Sequence, residues 1–245
     1  MDPVIHFASD THFGAGSVPG QKRRVELFLR WLSALENGST LYLLGDIFDF
    51  WLDYPSYMPK EHMEILYGLK KAQERDIRLR FVGGNHDIWC GDFLRGSLDV
   101  DILPNGVVVE HQGQRLRLHH GDGLLAGDTY YKAFRGVVRN RVLVFLAKSL
   151  HPELLHRFAH ALSHHSREKD RPDSQRIVAM IREYASSHSH ADVDHFVVGH
   201  IHTPHQEKFG AWTFHCLGDW VTHSTAGELR DGRFSVYDVR DRLDR

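Results

Sequence analysis

The sequence predicts an α/β fold, because short buried strands run into polar, glycine-containing loops that helices follow. Three apolar runs in the first half of the chain show this order: Val4–Ser9, Leu41–Leu44 and Leu79–Val82. Each run ends at a glycine or an acidic residue rather than continuing as a helix. In folds of this kind the chemistry lies beyond the ends of the strands, so we expect a row of polar loops at one edge of a sheet.

Helical spacing of apolar residues separates these strands. The spacing predicts one helix over Arg23–Leu35 and a second over Glu61–Arg75. After residue 106 the pattern changes to short β-like runs divided in part by glycine turns, which favours hairpins. These runs are Val107–Glu110, Leu116–His119, His195–Val198, Trp212–Leu217 and Phe234–Val239.

A long stretch between the β-like runs, about Thr129 to His188, reads as helical, with breaks near Pro152 and Pro172. Basic and apolar residues alternate along it, and no internal repeat or low-complexity linker interrupts the chain. A chain of this length is compatible with one domain. We therefore expect a single domain over residues 1–245 that carries a helical insertion at about 129–188.

The composition excludes several classes of protein. With 42% hydrophobic and 25% charged residues the chain is globular, and a net charge of −2 argues against a protein that coats nucleic acid. Two cysteines, Cys90 and Cys216, predict reduced thiols in a cytosolic protein. The acidic residue in Met1–Val4 does not fit a signal peptide, and the apolar run Val142–Ala147 is too short to span a membrane.

Histidine is unusually frequent, with 20 in 245 residues, and five short motifs that follow apolar runs contain several of them. The motifs are Asp10-x-His12, Gly45-Asp46, Gly84-Asn85-His86-Asp87, His120-Gly121-Asp122 and Gly199-His200-x-His202. Carboxylates, imidazoles and an amide oxygen form a donor set suited to borderline or hard divalent metals. Any one motif alone is most simply a turn or a helix cap, whereas all five in this order indicate a metal site.

This ordered set resembles the calcineurin-like metallophosphoesterase family over nearly the whole chain. The resemblance implies a four-layer α/β/β/α sandwich with two metal ions at one edge. It implies that a first metal is held by Asp10, His12, Asp46 and His202, and a second by Asp46, Asn85, His120 and His200. Asp46 would bridge the two metals, because each of its two carboxylate oxygens can bind one ion. A pair of ions can stabilise both the attacking and the leaving oxygen of a phosphoryl transfer. Mn²⁺ is the metal that the resemblance implies, and the donor set also allows Fe or Zn.

A narrower resemblance, to the UDP-2,3-diacylglucosamine hydrolases of lipid A biosynthesis and to their Bacteroidetes-type members, rests on further motifs. These are Gly45 to Trp51, His120 to Gly123 followed by Gly127-Asp128-x-x-Tyr131, and Leu217 to Trp220. In proteobacterial members an arginine usually stands where this chain has His86. The resemblance implies that His86 stabilises or protonates the leaving group, and Asp87 could orient its ring. The alternative is that His86 only supports a metal ligand or caps a helix. It implies substrate contacts from Asn85, His86, Asp128, Tyr131, Ser166, Arg167 and His200.

The sequence therefore predicts a metal-dependent hydrolase. By the resemblance it cleaves the pyrophosphate bond of a UDP-linked acylated glucosamine, giving UMP and 2,3-diacylglucosamine 1-phosphate. The basic and apolar insertion fits a lipid substrate, and it predicts a cytoplasmic protein that lies peripherally on the inner face of the inner membrane. Two alternatives stay open: the same catalytic core acting on a nucleotide or protein phosphate, and a scaffold without metals, which the intact ligand set disfavours. His6, His62 and His111 are expected to be structural.

Overall fold

The computed structural model describes residues 2–54, 57–87, 89–125, 141–155 and 173–244. Six strands form the first sheet, in the order β11-β10-β1-β2-β3-β4. β1, β2, β3 and β4 run parallel, and β10 and β11 pair antiparallel at the other side of β1. The bounds are β1 Ile5–Ala8, β2 Thr40–Leu43, β3 Arg78–Val82, β4 Asp101–Leu103, β10 Thr225–Arg230 and β11 Arg233–Asp238.

Five strands form the second sheet, in the order β5-β6-β7-β9-β8. Its three inner strands are parallel, and its edge strands are antiparallel to their neighbours. The bounds are β5 Val107–His111, β6 Gln114–His119, β7 His195–Val198, β8 His205–Phe209 and β9 Trp212–Cys216. Because parallel strands end at the same side, the loops after β6 and β7 meet at one edge of this sheet.

Besides a short helical segment at residues 152–155, six α-helices lie in the described part of the chain. They are α1 Val18–Ala34, α2 Met63–Gln73, α3 Gly91–Leu98, α4 Arg141–Lys148, α5 Ser174–Ser187 and α6 Val239–Leu243. A single 3-10 turn, Lys60–His62, precedes α2. Helix α1 begins five residues before the predicted start, because Ser17 caps it and Pro19 occupies its first turn.

Three apolar cores separate four layers. The largest core lies between the first sheet and helices α1, α2 and α3. A second core, which includes Phe7, Tyr42 and Val197, lies between the two sheets. In the third, Ile177 and Ile181 of α5 pack on the outer face of the second sheet. The predicted α/β/β/α sandwich is confirmed.

Helix α5 lies inside the stretch expected to be an insertion. Its buried residues, Ile177, Ile181 and Tyr184, contact the second sheet and form the fourth layer of the sandwich. The predicted bounds of the insertion, about 129–188, therefore include one helix of the sandwich itself. No helix in the described ranges combines the length and the apolar composition that crossing a membrane requires.

A buried carboxylate, Glu228 on β10, joins the first sheet to helix α6. Its oxygens accept hydrogen bonds from the Arg242 guanidinium at 2.6 and 2.8 Å and from that of Arg230 at 3.1 and 3.2 Å. Burial acts to raise the pKa of Glu228, but the two arginines outweigh it and lower the pKa to about 2. The ionised form of Glu228 is therefore stabilised by folding.

We expect the substitution Glu228→Gln to lower the free energy of unfolding by about 2–3 kcal/mol near pH 7, because it breaks a buried ion pair. Since the folded pKa lies below the ordinary value of 4.5, this contribution is present above pH 4.5 and lost as the pH falls toward 2. Urea unfolding of both proteins between pH 7 and pH 2.5 measures it. The exposed Glu110→Gln is the control, and a constant difference between E228Q and wild type across this range would contradict the account.

Candidate metal centre

The predicted ligands lie in loops that follow five parallel strands. Asp10 follows β1, Asp46 follows β2, Asn85 follows β3, His120 follows β6 directly, and His200 follows β7. Backbone hydrogen bonds tie these loops together: the N–H of Asp10 donates to the Gly45 carbonyl at 3.1 Å, and the N–H of Gly199 donates to the His120 carbonyl at 2.7 Å. Both sheets thus contribute to one site.

The first group of ligand atoms comes from Asp10, His12 and His202. The Nε2 atom of His202 lies 3.1 Å from Oδ1 of Asp10 and 3.1 Å from Nε2 of His12. One ligand atom from each of the three residues lies within 4.8 Å of the others. Asp10 and His12 are buried, and the side chain of His202 is 21% exposed. Of these three residues, only His202 is partly exposed to solvent.

The second group comes from Asp46, His120 and His200, whose ligand atoms also lie within 4.8 Å of one another. Nε2 of His120 lies 3.2 Å from Oδ1 of Asn85 and 3.4 Å from Oδ1 of Asp46. Oδ2 of Asp46 faces the other way, toward Nε2 of His12 at 3.9 Å. The two oxygens of Asp46 therefore face the two groups, which is the arrangement that a bridging carboxylate requires.

These residues fit a pair of divalent metal ions. Imidazole nitrogens and carboxylate oxygens converge at 3.1–3.9 Å, close to the spacing of about 3 Å between neighbouring ligands of an ion bound at about 2.1 Å. The Nε2 atoms of His12 and His202 point at each other, and a shared cation or proton resolves the repulsion between two lone pairs. The structure thus brings together all seven residues that the sequence predicted as ligands.

Five of these ligands have left-handed backbone conformations. Their φ angles are 52° at Asp10, 44° at His12, 53° at Asp46, 63° at His200 and 62° at His202. A non-glycine residue at positive φ is uncommon and costs about 1 kcal/mol or more, and such residues cluster at functional sites. The side chains converge because each loop turns sharply after its strand.

Asp87 holds the loop that carries Asp46. Its carboxylate accepts hydrogen bonds from the backbone N–H groups of Asp46, Ile47, Phe48 and Gly84, at 2.7–3.2 Å. A Cβ atom at Gly84 would lie 2.2 Å from Oδ1 of Asp46, so glycine is required where the two loops meet. The prediction that Asp87 orients His86 is wrong, because its oxygens already bind these backbone groups.

His86 is oriented by Asp49 instead. Its Nδ1 lies 2.7 Å from the Asp49 carbonyl oxygen, which can only accept, so the ring proton is on Nδ1. Nε2 then faces the site, 3.9 Å from Oδ2 of Asp46. His86, His12 and Asp46 also form a third trio of ligand atoms within 4.8 Å. Oδ1 of Asp49 also lies 3.5 Å from Nδ1 of His12, so Asp49 supports two imidazoles, although the sequence predicted no role for it.

Charges at the site shift several pKa values in the metal-free protein. Burial acts to lower the pKa of His120, but the Asp46 carboxylate and its neighbours outweigh burial and raise it to about 10. Burial and the neighbouring His120 lower the pKa of His200 to about 4. Burial and the Asp46 charge raise the pKa of Asp87 to about 6. His120 thus holds a proton at neutral pH that a metal ion must displace.

We expect Mn²⁺ binding near pH 7.5 to release about one proton from His120, because a metal ligates only the neutral imidazole. Below pH 10 the affinity at this position should rise about tenfold per pH unit. Calorimetric titration in buffers with different heats of ionisation measures the released protons, and a His120→Asn protein serves as the comparison. A binding enthalpy that does not depend on the buffer would contradict this expectation.

The remaining predicted residues are four substrate contacts and three histidines that were expected to be structural. Asp128, Tyr131, Ser166 and Arg167 lie outside the described residues. Away from the metal centre, His6 contacts Glu36 at 2.9 Å, His111 contacts the Tyr42 hydroxyl at 2.7 Å, and His62 stacks on Trp51. These contacts agree with structural roles for the three histidines.

Comparison with known proteins adds to this geometry. The family model described as calcineurin-like phosphoesterase matches residues 3–204. The UDP-2,3-diacylglucosamine hydrolase of Bordetella pertussis is 35% identical over 213 residues, which are 82% of this chain and 77% of that protein. The enzyme of the same name from Porphyromonas gingivalis is 27% identical over 92% of this chain and 93% of its own. The family match covers most of the sandwich and all of the ligand residues, so the chain belongs to the calcineurin-like phosphoesterase family.

Proposed function

We propose that this protein hydrolyses the pyrophosphate bond of UDP-2,3-diacylglucosamine to UMP and 2,3-diacylglucosamine 1-phosphate with a dinuclear metal centre. The observation that carries the proposal is the pair of ligand groups that the two oxygens of Asp46 face. Its support from comparison is the similarity to UDP-2,3-diacylglucosamine hydrolases over most of the chain. Bound divalent ions would lower the pKa of an attacking water molecule and neutralise charge on the phosphoryl oxygens.

The side chains of the site have distinct roles in this proposal. Asp10, His12, Asp46 and His202 would hold one ion, and Asp46, Asn85, His120 and His200 the other. Asn85, His86 and His200 would also contact the diphosphate. With its Nδ1 proton bound to the Asp49 carbonyl, His86 can carry a second proton on Nε2 and pass it to the oxygen of the departing sugar phosphate.

The exposed apolar side chains of helix α4 support the proposal that the substrate is acylated. Its side chains Val142, Phe145 and Leu146 are 54–70% exposed, and Leu150 and Leu154 continue this apolar surface. The hydroxyl of Tyr54 donates to the Ala147 carbonyl at 3.4 Å, which places α4 beside the segment that follows Asp49. An exposed apolar surface of this kind is suited to acyl chains. Asp128, Tyr131, Ser166 and Arg167 are proposed to contact the sugar and diphosphate.

We further propose Mn²⁺ as the metal, with Fe or Zn as alternatives that the N/O donor set allows. We propose that the protein works in the cytoplasm, lying peripherally on the inner face of the inner membrane, where an acylated substrate resides. The exposed apolar side chains of α4 are the feature that supports this location.

A substrate comparison tests the proposed function. The Mn²⁺-loaded protein should cleave UDP-2,3-diacylglucosamine in mixed micelles and turn over soluble nitrophenyl phosphoesters poorly. The substitution Phe145→Glu should lower kcat/KM for the micellar substrate about 30-fold, because burial of a phenyl ring contributes about 2 kcal/mol. Tyr67→Glu, at an equally exposed aromatic on α2, is the matched control. Robust turnover of nitrophenyl phosphoesters with no turnover of the micellar substrate would contradict the proposed lipid substrate and favour another phosphoester.

A further inference from the structure

The loop between β9 and β10 contains a carboxylate, Asp219, that is fully buried. Its Oδ1 atom accepts hydrogen bonds from the backbone N–H groups of Thr222 and His223, at 2.9 and 3.0 Å, and contacts Nδ1 of His223 at 3.1 Å. Its Oδ2 atom has no hydrogen-bond partner among the residues that the structure describes. A buried carboxylate oxygen without a hydrogen-bond partner destabilises the folded protein, so a hydrogen-bond donor is expected nearby.

Nδ1 of His202 is the ring nitrogen that faces this oxygen. It lies 3.7 Å from Oδ2 of Asp219, while Nε2 of the same ring lies 3.1 Å from Oδ1 of Asp10. The imidazole therefore presents one nitrogen to the metal ligands and the other to a buried carboxylate. An imidazole that ligates through Nε2 must keep its proton on Nδ1, and a carboxylate is the acceptor that retains it there.

The same loop is held against the first group of ligands. The backbone N–H of Trp220 donates to the carbonyl of Asp10 at 3.1 Å. The Trp220 ring is buried and packs on Phe28 and Trp31 of α1, at centroid distances of 5.1 and 5.3 Å. Packing on α1 thus anchors Asp219 rigidly, and the loop contacts two of the predicted ligands, Asp10 and His202.

We propose that Asp219 is a positioning residue for the metal centre. Its Oδ2 accepts the Nδ1 proton of His202 and so fixes the tautomer and the orientation in which Nε2 faces the first metal. The inference rests on the metal centre of the proposed function and does not depend on the lipid substrate. The observed separation of 3.7 Å exceeds a hydrogen bond of about 2.8 Å, so the proposal requires the ring and the carboxylate to move closer together when the metal binds.

The substitution Asp219→Asn tests this role. Asparagine keeps an oxygen for the N–H groups of Thr222 and His223 but turns an amide donor toward His202. We expect the affinity for one Mn²⁺ ion, measured by calorimetry on the metal-free protein, to fall about 10–100-fold with little change in its thermal unfolding. His223→Gln, which removes the ring contact to Oδ1, should leave the affinity unchanged. Wild-type Mn²⁺ affinity in D219N would overturn the proposal.

A second measurement needs no variant of Asp219. This measurement is NMR of the Co²⁺-loaded wild-type protein with ¹⁵N-labelled histidine, in which the Nδ1 proton of His202 should exchange slowly with water. The Nδ1 proton of His120 should also exchange slowly, because Nδ1 lies 2.8 Å from the Leu44 carbonyl oxygen. A His202→Gln protein identifies the signal by its loss. Exchange as fast as that of a free imidazole would overturn the proposal even if D219N did not fold. Neither test uses substrate, so failure to cleave UDP-2,3-diacylglucosamine would refute the proposed function alone.

Discussion

The substitution Asp46→Ala is expected to remove both metal ions and to lower kcat by about 10⁴-fold or more, equivalent to a loss of about 5.5 kcal/mol of transition-state stabilisation. The expectation follows from the two oxygens of Asp46, one 3.4 Å from Nε2 of His120 and the other 3.9 Å from Nε2 of His12. Metal content by mass spectrometry and the rate of UMP release measure the two effects together.

Asp92→Ala is the matched control for this experiment, because Asp92 lies on α3 with its side chain 88% exposed. It should keep both ions and full activity. An Asp46→Ala protein that retained two ions per chain, or that kept activity within tenfold of wild type, would show that Asp46 is not the bridging ligand.

The substitution His86→Ala is expected to lower kcat for the natural pyrophosphate by about 10²–10⁴-fold while both ions remain bound. Among simple diesters of UMP the loss should be much smaller for the 4-nitrophenyl ester than for the methyl ester, because nitrophenolate leaves without a proton and methoxide does not. The comparison follows from the tautomer that the Asp49 carbonyl sets, which leaves Nε2 of His86 directed at the reaction site. Steady-state rates with these substrates, together with metal analysis, give the result.

His205→Ala, at a histidine of the edge strand β8, is the control and should behave as wild type. The third trio of His12, Asp46 and His86 provides the competing interpretation, in which His86 is a metal ligand. Loss of one ion from His86→Ala, or an equal loss of rate with both leaving groups, would assign His86 to metal binding rather than to proton transfer.

The sequence was sufficient to predict the strands that lead to the site. β1, β2, β3, β6 and β7 are short apolar runs followed by polar loops, so their pattern alone placed them to within two residues. The five motifs were sufficient as well, because each follows one of these strands and carries a side chain with ligand chemistry. Local pattern therefore predicted which residues meet at the sheet edge.

The sequence pattern did not predict strands β8 and β10, whose residue types depend on the elements they pack against. β10 lies in the interior of the first sheet but reads Thr-Ala-Gly-Glu-Leu-Arg, without a β-branched run. Gly227 stands there because a Cβ atom would lie 2.8 Å from the side chain of Leu217. The edge strand β8 is polar and alternates exposed with half-buried residues, so it carries little hydrophobic signal.

The supporting residues of the site were the hardest to predict. Asp87 adjoins His86 in the sequence, yet its carboxylate binds the backbone of a loop about 40 residues away. Asp49 and Asp219 contact imidazoles through loop conformations that no periodicity describes. Their signal was limited to their presence in short motifs beside strands, because which atom each one binds depends on how the two sheets pack.

The measurement that tests the account most directly is hydrolysis of UDP-2,3-diacylglucosamine in ¹⁸O-labelled water, with mass analysis of both products. Because we propose that water attacks the phosphorus on the UMP side, we expect one ¹⁸O atom in UMP and none in the sugar 1-phosphate. We also expect no turnover by the metal-free protein until Mn²⁺ is restored. Label in the sugar 1-phosphate, or turnover at the full rate without metal, would contradict it.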